Sequence, residues 1–259
     1  GNVSLPDGTV VDGTNAAKVL RHDVYWNYPV EESDGIFASV ASAAFDKILG
    51  GIGDVDVTKL VGAFERGAEE GRLIAWMRND DEQNAIKETG IDASLPDPDD
   101  PSADPVAGVY FNNLSFSKLD WYLNADTQIG QGVKNGDGTC SYRITVTLTN
   151  IMTQEEAGKL PDYVAASAPD AARDDERLNV SLFAPTGGNI TDLTVEGTQF
   201  GLGAATWHGI PFYSGTVDLH AGETTTITYT LTTSAEAGDK PLTLRQTPTC
   251  QAARDSASA

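Results

Sequence analysis

Asn112-Asn113-Leu114-Ser115-Phe116-Ser117-Lys118-Leu119-Asp120-Trp121-Tyr122-Leu123 is the stretch whose reading divides this 259-residue chain. Before it, helical periods alternate with short apolar runs; after it, nearly every segment has the composition of strand and turn. Within it, Ser117 to Tyr122 sets a cation, an anion and two large aromatics side by side, which suits a strand entering a sheet at a domain junction. The expectation is an α+β protein: an N-terminal α/β layer of helices on a small sheet over residues 1–118, an antiparallel Ig-like β-sandwich over 119–252, and a frayed tail over 253–259.

Downstream of the junction the evidence for strands is periodic. Asn135-Gly136-Asp137-Gly138 is a turn signal, and the run after it alternates Tyr142, Ile144, Val146 and Leu148 with Arg143, Thr145, Thr147 and Thr149. One face is therefore buried and the other wet. Further strands are predicted over 178–184, 190–196, 204–207, 212–219, 224–233 and 242–246, with turns at Gly187-Gly188, Gly197, His208-Gly209 and Ala221-Gly222, a sandwich spacing. Between 153 and 176 only one short helix is suggested.

Upstream the period changes to that of helices. Thr14 caps a run with Ala17, Leu20 and Val24 on one face, stopped by Pro29. Ser33 or Asp34 starts a second helix carrying Ile36, Phe37, Val40, Ala44, Phe45 and Ile48, ended by Gly50-Gly51. A third, from Asp56 or Thr58, turns Leu60, Val61, Phe64 and Ala68 inward and ends at Gly71. Arg72 to Met77 then reads as a buried strand, and Asp80, Asp81 and Glu82 favour the start of a fourth helix. Residues 92–104 hold five aspartates, three prolines and no cation, which makes a solvated linker; the spacing and central glycine of a calcium loop are missing.

Composition limits the function classes. Lys and Arg total 17 against 38 Asp and Glu, a formal charge of −21 that repels nucleic acid and anionic membranes. Cys140 and Cys250 show no metal-ligand spacing, and no metal or cofactor is expected. They suit a disulfide stapling the ends of the sandwich in an oxidising compartment, with two buried thiols as the alternative. No nucleophile elbow or phosphate-cradling glycine loop occurs, so no catalytic residue is assigned. His22-Asp23 reads as a surface pair on a helix, and His208 and His220 as loop residues. Trp207 and Tyr213, flanking a hairpin, would stack on a sugar, although aromatics there also serve packing.

Glu70 to Gln83 (EGRLIAWMRNDDEQ) and the 112–122 stretch, taken with Thr14 to Tyr28, the 37–49 helix, Leu160-Pro161-Asp162-Tyr163-Val164 and the closing strand pair around Ala221-Gly222-Glu223, resemble the C-terminal half of the actinobacterial domain-of-unknown-function family numbered 4012. The resemblance spans nearly the whole chain. It implies an extracytoplasmic, cell-envelope protein held by a membrane anchor upstream of this segment, with a cell-wall or exopolysaccharide glycan or another envelope protein as partner. Asp12 to Arg21 (DGTNAAKVLR) is similar to the segment of LytR-CpsA-Psr wall-polymer transferases that leads to their pyrophosphate-binding arginines, and Arg21 matches one of them. The expected function is a non-catalytic binding or scaffolding module for surface polysaccharide, with Arg21, Trp207 and Tyr213 as candidate ligand contacts. Part of a transferase acting on polyprenyl-pyrophosphate-linked glycans is the alternative.

Overall fold

The computed structural model, which describes residues 2–50, 57–92, 94, 96–196 and 201–251, has both helices and several sheets, a mixed α+β chain. The N-terminal layer opens with an antiparallel hairpin, β1 (Val3–Ser4) and β2 (Val10–Val11). A helix follows in three pieces: α1 (Ala16–Lys18), a π turn over Val19–Asp23, and α2 (Val24–Asn27). It ends where Tyr28, placed before Pro29, takes the extended backbone that a following proline imposes. α3 (Val30–Gly50) starts directly after Pro29 and so includes Ser33, one of the expected caps, as a buried residue. Leu5, Val11, Val19, Val24 and Ile36 close a small core between hairpin and helices.

α4 (Val57–Glu69) and α5 (Asp80–Thr89) follow. Asn79 caps α5 by accepting from the amides of Asp81 and Glu82, and Gly90 closes it at φ +74°. Two expectations fail in this region. The face of α4 predicted to turn inward is open, with Val61 and Phe64 about half exposed. Residues 72–77 pair with no sheet, and Ile74 and Trp76 stand in solvent. An apolar run specifies a strand only where a neighbour offers a ladder, and none of the described elements does.

β3 (Val106–Asn113), which begins upstream of the 112–123 stretch, already joins the larger sheets. The 112–123 stretch enters no sheet until its end: a 3-10 turn over Leu119–Tyr122 precedes β4 (Leu123–Ile129). β5 (Val133–Lys134), β6 (Cys140–Asn150), the one-turn α6 (Gln154–Ala157), β7 (Glu176–Phe183), β8 (Asn189–Glu196), β9 (Gly203–Trp207), β10 (Ile210–Leu219), β11 (Thr224–Thr232) and β12 (Thr243–Gln246) follow in order. One sheet has the order β12-β3-β7-β10-β9, the other β4-β6-β11-β8 with β5 on β6. Every pairing is antiparallel except β12 on β3, which run parallel from Thr243 opposite Val106 to Gln246 opposite Val109. The inner faces meet in one core, with Val109, Leu178, Val180, Leu182 and Val217 from the first sheet and Ile144, Val146, Leu148, Ile227 and Leu231 from the second. Burial of each such side chain contributes about 1.5–3 kcal/mol.

The disulfide expectation is corrected: Cys140 and Cys250 are free thiols. Cys140 opens β6 beside Gly132 and Tyr142, its amide donating to Thr233 Oγ1, whereas Cys250 follows β12 in the other sheet and lies against Arg21. The ends of the sandwich are not stapled. With the bridge goes its argument for an oxidising compartment. No described helix is long and apolar enough to cross a membrane.

Candidate functional site

Where α4 turns back toward the sandwich, a cleft of about 1130 Å³ opens against the β12–β3 edge. Arg21 reaches it from the π turn, Arg72 from the turn after α4, and Arg245 from β12; Cys250, Tyr110 and Glu69 with Glu70 also line it.

Each guanidinium is positioned by the fold. Arg72 Nε donates to Glu70 Oε2 at 2.6 Å and its Nη2 to the Thr249 carbonyl at 3.0 Å; Arg245 Nη1 donates to the Ser94 carbonyl at 2.6 Å. Arg21 is partly buried, which opposes its charge, and contact with the Cys250 thiol together with the field of Asp120 outweighs that and raises its pKa. A guanidinium has five donors, so these anchors leave others for an anion in the cleft. The Arg72–Glu70 pair is exposed and adds little stability of its own.

Tyr110 joins the cleft to a row of rings on the outer face of the sheet. It meets Phe183 edge-on at 5.7 Å, and Phe183 stacks on Phe212 at 4.6 Å and 7°. Gly108 makes the row possible, since a Cβ there would lie 2.8 Å from the Tyr110 ring and 2.9 Å from Phe183 Cβ. These half-buried faces suit the apolar side of a ring compound.

The other expected ligand contacts do not come together. Pairing sets Trp207 opposite Ile210 and Tyr213 opposite Ala204, so the two rings leave opposite faces of the β9–β10 hairpin. Tyr213 packs on the core, and Trp207 rests edge-on against His208. Of the three sequence candidates, Arg21 alone reaches the cleft. Nothing in the sequence marks Arg72 or Arg245 as a site residue: one opens an apolar run and the other lies near a strand end, with no spacing that links them to Arg21.

His22 is also more than a surface residue. Its Nδ1 lies 2.7 Å from Asp23 Oδ1 and its Nε2 2.8 Å from Tyr122 Oη, while its ring stacks on Trp26 at 5.5 Å. Burial alone would raise the Asp23 carboxyl, but hydrogen bonds from Lys18 and His22 hold it below the usual range. Burial pushes the Tyr122 hydroxyl pKa well up, with Glu156 acting in the same sense. The chain of contacts ties the helical layer to Leu119, Met152, Leu160 and Val164 beneath it. At the inner end of the sandwich, Glu176 is fully buried with Oε2 unpartnered, and its Oε1 has a long contact of 3.5 Å from Asn113 Nδ2. Burial, and then the charges of Asp120 and Asp175, push its carboxyl well above the ordinary value.

No protein-family model matches the chain, and no curated protein matches it. Among solved structures, the chain is similar to a crystal structure of a Legionella pneumophila protein named as a candidate nutrient-binding protein, at 10% identity and a TM-score of 0.27 over 51% of this chain and 45% of that one. The matched region spans less than half of that protein, and a likeness at this score carries no argument about fold or ligand.

Proposed function

We propose that this chain is a binding module of the cell envelope that takes an anionic glycan into the cleft between its helical layer and an Ig-like sandwich. One observation carries the reading: Arg21, Arg72 and Arg245 line a single cleft on a chain whose formal charge is −21. Guanidiniums that line one cleft are like charges, and an oxyanion ligand held between them by charge-assisted hydrogen bonds offsets their mutual repulsion. The ring row beginning at Tyr110 supplies the second half of the recognition, a stacking surface for sugar rings beside the charged group. The envelope location and its glycan partner rest on the family resemblance.

The transferase alternative draws on the same observation, since a cleft holding Arg21 with other cations would also suit a glycan-linked pyrophosphate. Binding and turnover separate the readings. Calorimetric titration with inorganic pyrophosphate, a phosphorylated oligosaccharide and its uncharged parent is expected to rank the phosphorylated sugar first. Arg21→Ala, Arg72→Ala and Arg245→Ala are each expected to weaken it about tenfold or more, since charge-assisted hydrogen bonds contribute about 1.5–3 kcal/mol. Equal affinity for the uncharged sugar, or indifference to all three substitutions, rejects the proposal; release of polyprenyl phosphate from a pyrophosphate-linked glycan would install the transferase instead.

A further inference from the structure

We infer that Asn189 carries an N-linked glycan taken from a polyprenyl-pyrophosphate-linked oligosaccharide; this rests on the envelope location proposed for the chain and not on its arginine cleft. Four stretches have the Asn-X-Ser/Thr pattern of an acceptor: Asn2-Val3-Ser4, Asn113-Leu114-Ser115, Asn179-Val180-Ser181 and Asn189-Ile190-Thr191. So short a pattern arises by chance, and the fold separates the four. At Asn113 the atom that would carry the sugar is spent: Nδ2 donates to Asp120 Oδ1 at 3.1 Å and to Ser117 Oγ at 3.3 Å. Ser115 is fully buried, its hydroxyl accepting from the Arg177 amide at 2.7 Å. Asn179 lies mid-sheet, opposite Asn112 on β3 and Thr216 on β10, with its Oδ1 accepting from Ser214 Oγ at 3.0 Å. A sugar at either position would displace these contacts.

Asn189 differs on each count. It opens β8, an edge strand of its sheet, directly after the turn at Gly187-Gly188. Asn189 and Thr191 are exposed and Ile190 between them is buried, so the amide and the hydroxyl that define the acceptor stand on one wet face. No hydrogen bond engages the Asn189 side chain among the described residues, and Thr191 Oγ1 donates at 3.1 Å to Oδ2 of its exposed neighbour Asp192. The register shifts after Thr191, where Asp192 takes φ +52°, so the acceptor is held to β11 only opposite Thr230, Leu231 and Thr232. Drawing it into a transferase parts that one short ladder, whereas Asn179 is laddered on both sides. There Nδ2 bonds to the anomeric carbon of the donor, the bond from that carbon to the pyrophosphate oxygen breaks, lipid pyrophosphate leaves, and the amide proton passes to a base of the transferase. A glycan rooted at the head of β8 would also cover backbone groups that an edge strand leaves unpaired. Asn2, exposed ahead of β1, is open by the same criteria.

The test isolates the protein from its own cells after separating envelope from cytoplasm, and maps its peptides by mass spectrometry with fragmentation that leaves sugars attached. The expected result is a saccharide increment on Asn189 in most copies and none on Asn113 or Asn179. Thr191→Val keeps the shape of the side chain and removes the hydroxyl, and is expected to leave Asn189 bare; Thr191→Ser is expected to keep the sugar. Bare Asn189 in protein recovered outside the membrane overturns the inference and leaves the envelope location standing, whereas recovery from the cytoplasm overturns both. Sugar on Asn113 or Asn179, or sugar retained by Thr191→Val, overturns the inference as well. None of these outcomes depends on whether the arginine cleft binds an anion.

Discussion

Glu176→Gln is expected to stabilise the protein by an amount that grows with pH. In the folded chain the carboxyl sits above its reference value of 4.5, chiefly through burial, with Oε2 unpartnered and Asp120 and Asp175 close enough to add repulsion. Unfolding returns it to water and to that reference. Below the reference, folded and unfolded states are both protonated and the group makes no pH-dependent contribution. Between the reference and the raised folded value, the native state keeps a proton that the unfolded state has released, so stability falls as pH rises, by at most about 1.4 kcal/mol per pH unit. Above the folded value the loss is complete and the curve is level. Glutamine has the same shape and no proton to lose, so the difference between variant and parent traces this one group. Urea unfolding of both proteins from about pH 4.5 to 7.5, with m-values compared at each point, measures it. For a chain of this size each kcal/mol should appear as about 2–4 °C in Tm. A difference that does not change with pH, or that grows toward acid, would refute the assignment of Glu176 as a buried, protonated carboxylic acid.

Two further expectations concern the sandwich. Gly188→Ala should destabilise it by about 2 kcal/mol or more, because the added Cβ would lie 2.3 Å from the Thr232 carbonyl oxygen, a backbone atom that cannot swing aside; chemical denaturation of the variant checks this. The thiols should behave as thiols: the unfolded protein, kept free of reductant, is expected to react with two equivalents of a thiol reagent, and reductant should leave the midpoint of unfolding unmoved. A blocked pair of cysteines would restore the bridge between Cys140 and Cys250.

The sandwich was legible because its strands obey a two-residue rule that few competing structures satisfy. The alternation from Tyr142 to Leu148 became β6 with Ile144, Val146 and Leu148 fully buried, and the expected run at 224–233 became β11 beside it. Turn residues place the ends of the strands from β6 to β12 within a residue or two, whereas the strand expected over 121–133 breaks into β4 and β5. The Arg72 to Met77 run failed for the opposite reason: apolar content announces burial without saying against what, and here no described strand lies alongside. Cys140 and Cys250 show a related limit, since flanking positions along the chain do not settle where in space each thiol lies. The cleft was least legible of all. Its arginines come from a π turn, a helix-to-coil turn and the last strand, and only the parallel docking of β12 on β3 brings Arg245 to the others. His22 and Asp23 lie on a π turn that no periodicity announces, and their side chains meet at 2.7 Å.

The parallel contact between β3 and β12 also governs how the body answers to tension. Tension applied at residues 106 and 246 would pull the leading end of one strand against the trailing end of its neighbour. Because the strands run the same way, that load slides one along the other and falls on all the rungs from Val106–Thr243 to Val109–Gln246 together, whereas in a hairpin it would open them one by one. Held by its ends, the sandwich is clamped in shear, and the rungs of that clamp must part together before the core is exposed.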